Sequence, residues 1–101
     1  MQDLITKVTQ QYTRNDGSEV KIIAQAMYGA GLHQSIDVYA LHRPDASSAW
    51  RLLDNRPHPD WRTMSVQEYT ERGRSDLLQH VTIGEILKVK SLIGKPMSVL
   101  H

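Results

Sequence analysis

The sequence predicts an α+β fold: a four-stranded antiparallel β-meander, then two or three C-terminal helices packed on one face as a two-layer sandwich. Three observations predict it. Apolar and polar residues alternate through most of the chain up to residue 54, as half-buried strands require. Asn15-Asp16-Gly17 supplies a tight-turn signal between two such runs. After a double-proline segment, two S/T-x-x-E sequences announce helix starts.

The first strand is expected over 4–13 and its partner over Glu19–Tyr28, both rich in the Thr, Val, Ile and Tyr that suit a pleated surface. Gly29-Ala30-Gly31 breaks the second strand. A phosphate cradle is a poor reading of it, because no Lys-Ser/Thr and no following helix complete a P-loop. A third strand runs from about Ser35 to His42, residues 43–49 are turn chemistry, and Trp50–Asp54 forms a short fourth strand. Residues 55–64 form a crossing loop, since Pro57 and Pro59 forbid helix and interior strand alike. The helical part spans 65–94. Ser65 with Glu68 and Thr82 with Glu85 are capping boxes, and Met64/Tyr69 and Val81/Ile86 are their hydrophobic staples. Ser75 caps a helical turn between them. Gly73 and Gly94 are the expected stops, and Ser98–His101 a frayed tail.

The chain of 101 residues is long enough for one domain, 1–101, with one modest core. It has no Cys, which excludes disulfides, thiolate metal sites and thiol nucleophiles. No apolar run approaches a membrane span and no signal pattern opens the sequence, so a cytoplasmic protein is expected. Twelve basic residues against eleven acidic ones give a net charge of +1, too little for a dedicated binder of phosphate backbones.

Two or three helices cover one side of a four-stranded sheet. Leu4, Val8, Tyr12, Val20, Ile22, Ile36, Val38, Trp50 and Leu52 are expected beneath them, meeting Ile83, Ile86, Leu87, Val89 and Ile93 of the last helix. The opposite face then carries Ile5, Ile23, Met27, Tyr39, Leu41 and Leu53 among Lys7, Lys21, Gln25, Asp37 and Arg51. A solvated sheet face is normally more polar than that, so a contact surface is expected. Ile23, Met27, Tyr39, Leu41 and Leu53 would anchor it, with Asp37 and Arg51 setting the register of a homodimer or a protein complex. The competing reading has the sheet curl, or the 29–34 loop or the N-terminus fold over this face.

Asp54–Arg62 is the densest polar run, and His58 with Asp60 is its one conceivable acid/base pair. The proline-locked backbone aims neither side chain at the other, and no nucleophile of recognisable context is near. A rigid loop is therefore preferred to a hydrolase or nuclease site. Arg56, Trp61, Arg62, Arg72 and Arg74 are the candidates for nucleic-acid contact. However, Asp60, Glu68, Glu71 and Asp76 alternate with the arginines. Five scattered His offer no ligand spacing, so neither a metal nor another cofactor is expected.

Arg56-Pro57-His58-Pro59-Asp60-Trp61-Arg62-Thr63-Met64-Ser65, with Gly84-Glu85-Ile86-Leu87, Gly94-Lys95-Pro96-Met97 and the Thr13–Gly17 hairpin, resembles small uncharacterised proteins of bacterial integrative and conjugative elements. The resemblance implies a bacterial, cytoplasmic accessory setting and transfers no functional residues. The expectation is a non-enzymatic interaction module, with a nucleic-acid accessory protein and a small hydrolase as alternatives.

Overall fold

The computed structural model describes residues 3–28 and 34–100. Four strands, β1 (Lys7–Thr13), β2 (Glu19–Tyr28), β3 (Gln34–Arg43) and β4 (Arg51–Leu52), form one antiparallel sheet in the order β1-β2-β3-β4. The meander and the helices behind it are the α+β arrangement that the alternation and the capping signals predict. The Gly29–Gly31 break lies outside the described residues.

The first hairpin closes as its sequence requires. Thr13 pairs with Glu19, and the Arg14 amide donates to the Ser18 carbonyl at 2.8 Å. Gly17 takes φ +88, a left-handed conformation that costs glycine nothing. The Asp16 carboxylate accepts from the Ser18 amide at 2.9 Å and from its hydroxyl at 2.6 Å.

A 3-10 turn (Trp61–Thr63) leads from the proline loop into α1 (Val66–Glu68), which widens into a π turn (Tyr69–Gly73). Then come α2 (Asp76–His80), α3 (Ile83–Lys90) and a 3-10 turn (Met97–Leu100). The caps follow the sequence closely. The hydroxyls of Ser65, Ser75 and Thr82 accept from the amides of Glu68, Leu78 and Glu85. Only Thr82–Glu85 is a complete box; the Glu68 side chain turns instead to Arg72, at 3.2 Å. The last helix ends at Lys90, short of Gly94, and the intervening turn brings the chain back to its beginning.

Residues 3–5 are not part of β1. The Ile5 amide donates to the Lys95 carbonyl at 2.8 Å and Gly94 returns a bond to the Ile5 carbonyl. Leu4 bridges Pro96, and the Met97 amide reaches the Asp3 carbonyl at 3.1 Å. A bend at Thr6 separates this clasp from β1 and reverses the parity of the alternation. Ile5 therefore enters the core while Leu4 stays exposed, opposite to the sequence expectation.

The core lies between the sheet and α2–α3. Val8, Val20, Ile22, Ala24, Ala40 and Leu53 of the sheet side meet Leu77, Val81 and Val89, with Ile86, Leu92 and Ile93 packed against them. Ile83 and Leu87, expected in this seam, are exposed, while Leu77, Val81 and Leu92 take part in it. Parity also corrects β4. Arg51 pairs with His42 on the helix side and Leu41 with Leu52 on the open side, so Trp50 and Leu52 face away from the helices and Leu53 is buried beneath them. A slip of one residue exchanges the two faces of a strand, and a two-residue strand carries too little pattern to fix it.

Candidate functional site

The register sets the open face in rows across the sheet. Lys7, Gln25 and Asp37 form one row, and Thr9, Ile23 and Tyr39 the next. Gln11, Lys21, Leu41 and Leu52 form the third, and Thr13, Glu19 and Arg43 the last. Ile23, Met27, Tyr39, Leu41 and Asp37 thus share the face the alternation assigns them. Leu53 and Arg51 do not: Leu53 is core, and Arg51 pairs with Asp76 of α2.

Part of this face is covered by its own side chains. The Trp50 ring lies between Lys21 and Arg43, whose cations stand 4.3 and 4.2 Å from its centre. Arg43 also donates to Glu19 at 3.0 Å, and Glu19 accepts from Gln11. Ile23 is only 8% exposed, so it is a floor rather than an anchor. Met27 and Leu52 remain 46% and 62% exposed at the two ends of a diagonal that runs through Tyr39 and Leu41. Lys7 and Asp37, at opposite ends of one row, make no ion pair among the described residues.

The proline loop is tied down by its own groups. The Asp60 amide donates to His58 Nδ1 at 3.1 Å, and the His58 amide donates to the Gly73 carbonyl at 3.0 Å. The His58 ring and the Asp60 carboxylate stand 4.0 Å apart, so the nitrogen an acid/base pair would share is already occupied by backbone. Among the described residues no group of three or more His, Asp or Glu gathers at a metal-ligating distance. Among the described residues no helix is long and apolar enough to cross a membrane.

The five residues proposed for nucleic acid divide into two sets. Arg56 is paired with Asp54 at 2.9 Å and Arg72 with Glu68, so these two are neutralised locally. Arg62 stands over the Trp61 ring at 5.4 Å, and among the described residues neither it nor Arg74 has an acidic partner. Both line hollows in the helical layer. One, of about 300 Å³, lies among Trp61, Arg62, Met64, Val66 and Tyr69. The other, of about 290 Å³, lies among Tyr69, Arg74, Leu78, Val81 and Ile83. Tyr69 is their common wall.

No protein family, no curated protein and no solved structure matches this chain.

Reasoning from the sequence missed the residue that joins hairpin to helices. Arg14 donates to both oxygens of Glu85 at 2.7 Å and to the His80 carbonyl at 2.9 Å. Glu85 simultaneously accepts from the Thr82 amide. The Arg14 hydrogen bond is the main reason its carboxyl titrates at about 2. Beside this tie the His42 and His80 rings stack with centroids 4.1 Å apart. Burial, and then the facing His42, hold the His80 imidazole below its ordinary value. The only advance signal was an arginine in a hairpin turn opposite a glutamate in a capping box, 71 residues away.

Proposed function

We propose that the chain is a non-enzymatic interaction module that associates face to face with a second copy of itself through the open side of the sheet. The observation that carries this reading is an excess of surface. The chain exposes 7323 Å², whereas a compact monomer of 11.5 kDa exposes about 5,800 Å² by the general relation between surface and mass. The difference, about 1,500 Å² on one chain, is more than the roughly 800 Å² that each partner contributes to a standard protein interface.

Symmetry supports the second copy as the occupant. Packed sheets face each other about 10 Å apart, with strands within about 30° of alignment. A two-fold axis along the strands lays β1 of one copy over β3 of the other. Lys7 then stands over the partner's Asp37 on both sides of the axis, Ile23 on the central β2 meets its own copy, and Tyr39 and Leu41 lie over the partner's Thr9 and the partner's Gln11. A patch that complements itself in this way is what an isologous dimer requires. The resemblance of the sequence to proteins of mobile elements supports a bacterial accessory role for such a module.

Light scattering and sedimentation test it. Tyr39→Glu/Leu41→Glu should be a folded monomer where the wild type is a dimer. Lys7→Asp and Asp37→Lys should each weaken the dimer, and the double exchange should restore it. A wild type that stays monomeric at its highest soluble concentration would overturn the reading, as would a double exchange no better than the single ones.

A further inference from the structure

We propose that the two hollows of the helical layer form a docking groove for an acidic amphipathic segment of another protein. The segment is a short helix that sets two apolar side chains on either side of Tyr69 and a carboxylate beside each of Arg62 and Arg74. The groove is separate from the open sheet face and does not depend on it.

The apolar content of this layer is the first argument. Val66 is 86% exposed, and Ile83 and Leu87 are 62% and 57% exposed on adjacent turns of α3. Val66 and Ile83, together with Trp61, line the two hollows, each large enough to receive a side chain. Helix-binding grooves take anchors three or four residues apart, whose Cβ atoms are about 5–6 Å from each other. The two hollows lie side by side, because Tyr69 walls both of them.

Charge is the second argument, and it selects the partner. Local carboxylates neutralise Arg56 and Arg72, leaving Arg62 and Arg74, one at each hollow. Buried apolar anchors combined with a few carboxylates at the rim match that pattern. A nucleic acid matches it less well: a phosphate backbone calls for a continuous run of cations. Here exposed aliphatics lie between the two arginines, and Glu68 and Glu71 project from the same helical segment.

The third argument is that the groove is formed in advance. Gly73 sits so close beneath the wall that an added Cβ would stand 2.7 Å from both Met64 Sδ and the Tyr69 ring. The Arg74 amide donates to the Tyr69 carbonyl across the π turn at 3.1 Å, and the proline loop holds Gly73 from below. Rigid sites lose little ordering entropy on binding.

The test pans a displayed library of short random peptides against the full chain and measures the enriched peptides by fluorescence polarisation and amide chemical-shift mapping. Expected are sequences with two apolar residues three or four apart flanked by Asp or Glu, shifting Tyr69, Ile83 and the Trp61 indole. Arg62→Glu/Arg74→Glu, with both residues exposed, should keep the wild-type melting temperature, lose affinity by about tenfold or more, and select basic flanks instead. Enrichment without acidic flanks, shifts confined to the open sheet face, or affinity indifferent to the charge reversal would overturn the proposal. So would an oligothymidine that shifts the same resonances when no peptide does.

Discussion

Arg14 illustrates how much one side chain can hold together. It spans from the first hairpin to the end of α2 and the start of α3 through three charge-assisted hydrogen bonds. Arg14→Met should lower stability by about 2–3 kcal/mol in urea unfolding, because Glu85 is left largely enclosed without its partner. Acid should act at the same place. Glu85 titrates at about 2 in the folded chain against 4.5 ordinarily, so its contribution is complete above pH 4.5 and disappears as the pH falls from there toward 2. His80 acts earlier and in the same direction. Its folded value lies below 6.5, so the unfolded chain takes the proton more readily and stability declines as the pH drops below 6.5. The groups facing it are His42, Asp76, Arg51 and Arg14. His80→Gln should flatten the stability profile between neutrality and the carboxylate range. Tyr12 should behave in the opposite sense to Arg14. Its hydroxyl is buried and has no partner among the described residues, so Tyr12→Phe should raise the unfolding free energy by about 1 kcal/mol.

Among the elements, α3 has the best-specified start, and Gly17 and Gly94 are the turn positions that require glycine's positive φ. Thr82→Ala should cost about 1–2 kcal/mol, more than Ser65→Ala, because the Thr82 box is reciprocal and also orients Glu85 toward Arg14. Gly17→Ala should cost about 1–2 kcal/mol through its positive φ alone, since no atom lies near enough to clash. These are the features the sequence states openly: turn glycine, cap hydroxyls and the long alternating strands β2 and β3. Their signals are local and need no partner. The parity of Ile5 and of β4 was not legible, because each depends on where a bend falls and neither run is long enough to announce its own phase. The candidate surfaces divide in the same way. Ile23, Met27, Tyr39 and Leu41 follow from alternation within long strands. The groove arises where the π turn, α2 and α3 meet, and no single periodicity describes that junction.

Across the whole molecule the dominant fact is shape. The radius of gyration is 15.9 Å, where a compact chain of this length has about 13 Å. The β2–β3 ribbon runs beyond the end of β1, and only Leu41 and His42 of β3 are paired with β4. If the open face binds a second copy, the melting temperature should rise with protein concentration in the wild type and not in Tyr39→Glu/Leu41→Glu. The clasp between residues 3–5 and 94–97 has a further bearing on how the molecule is made. A ribosome emits about 5–20 residues per second, so the meander leaves the tunnel seconds before Val89, and Gly94 later still. During that interval Val20, Ile22 and Ala40 have only Leu53, Leu77 and Val81, as each emerges, to lie against, and residues 3–5 wait unpaired until 94–97 arrive to close the lock.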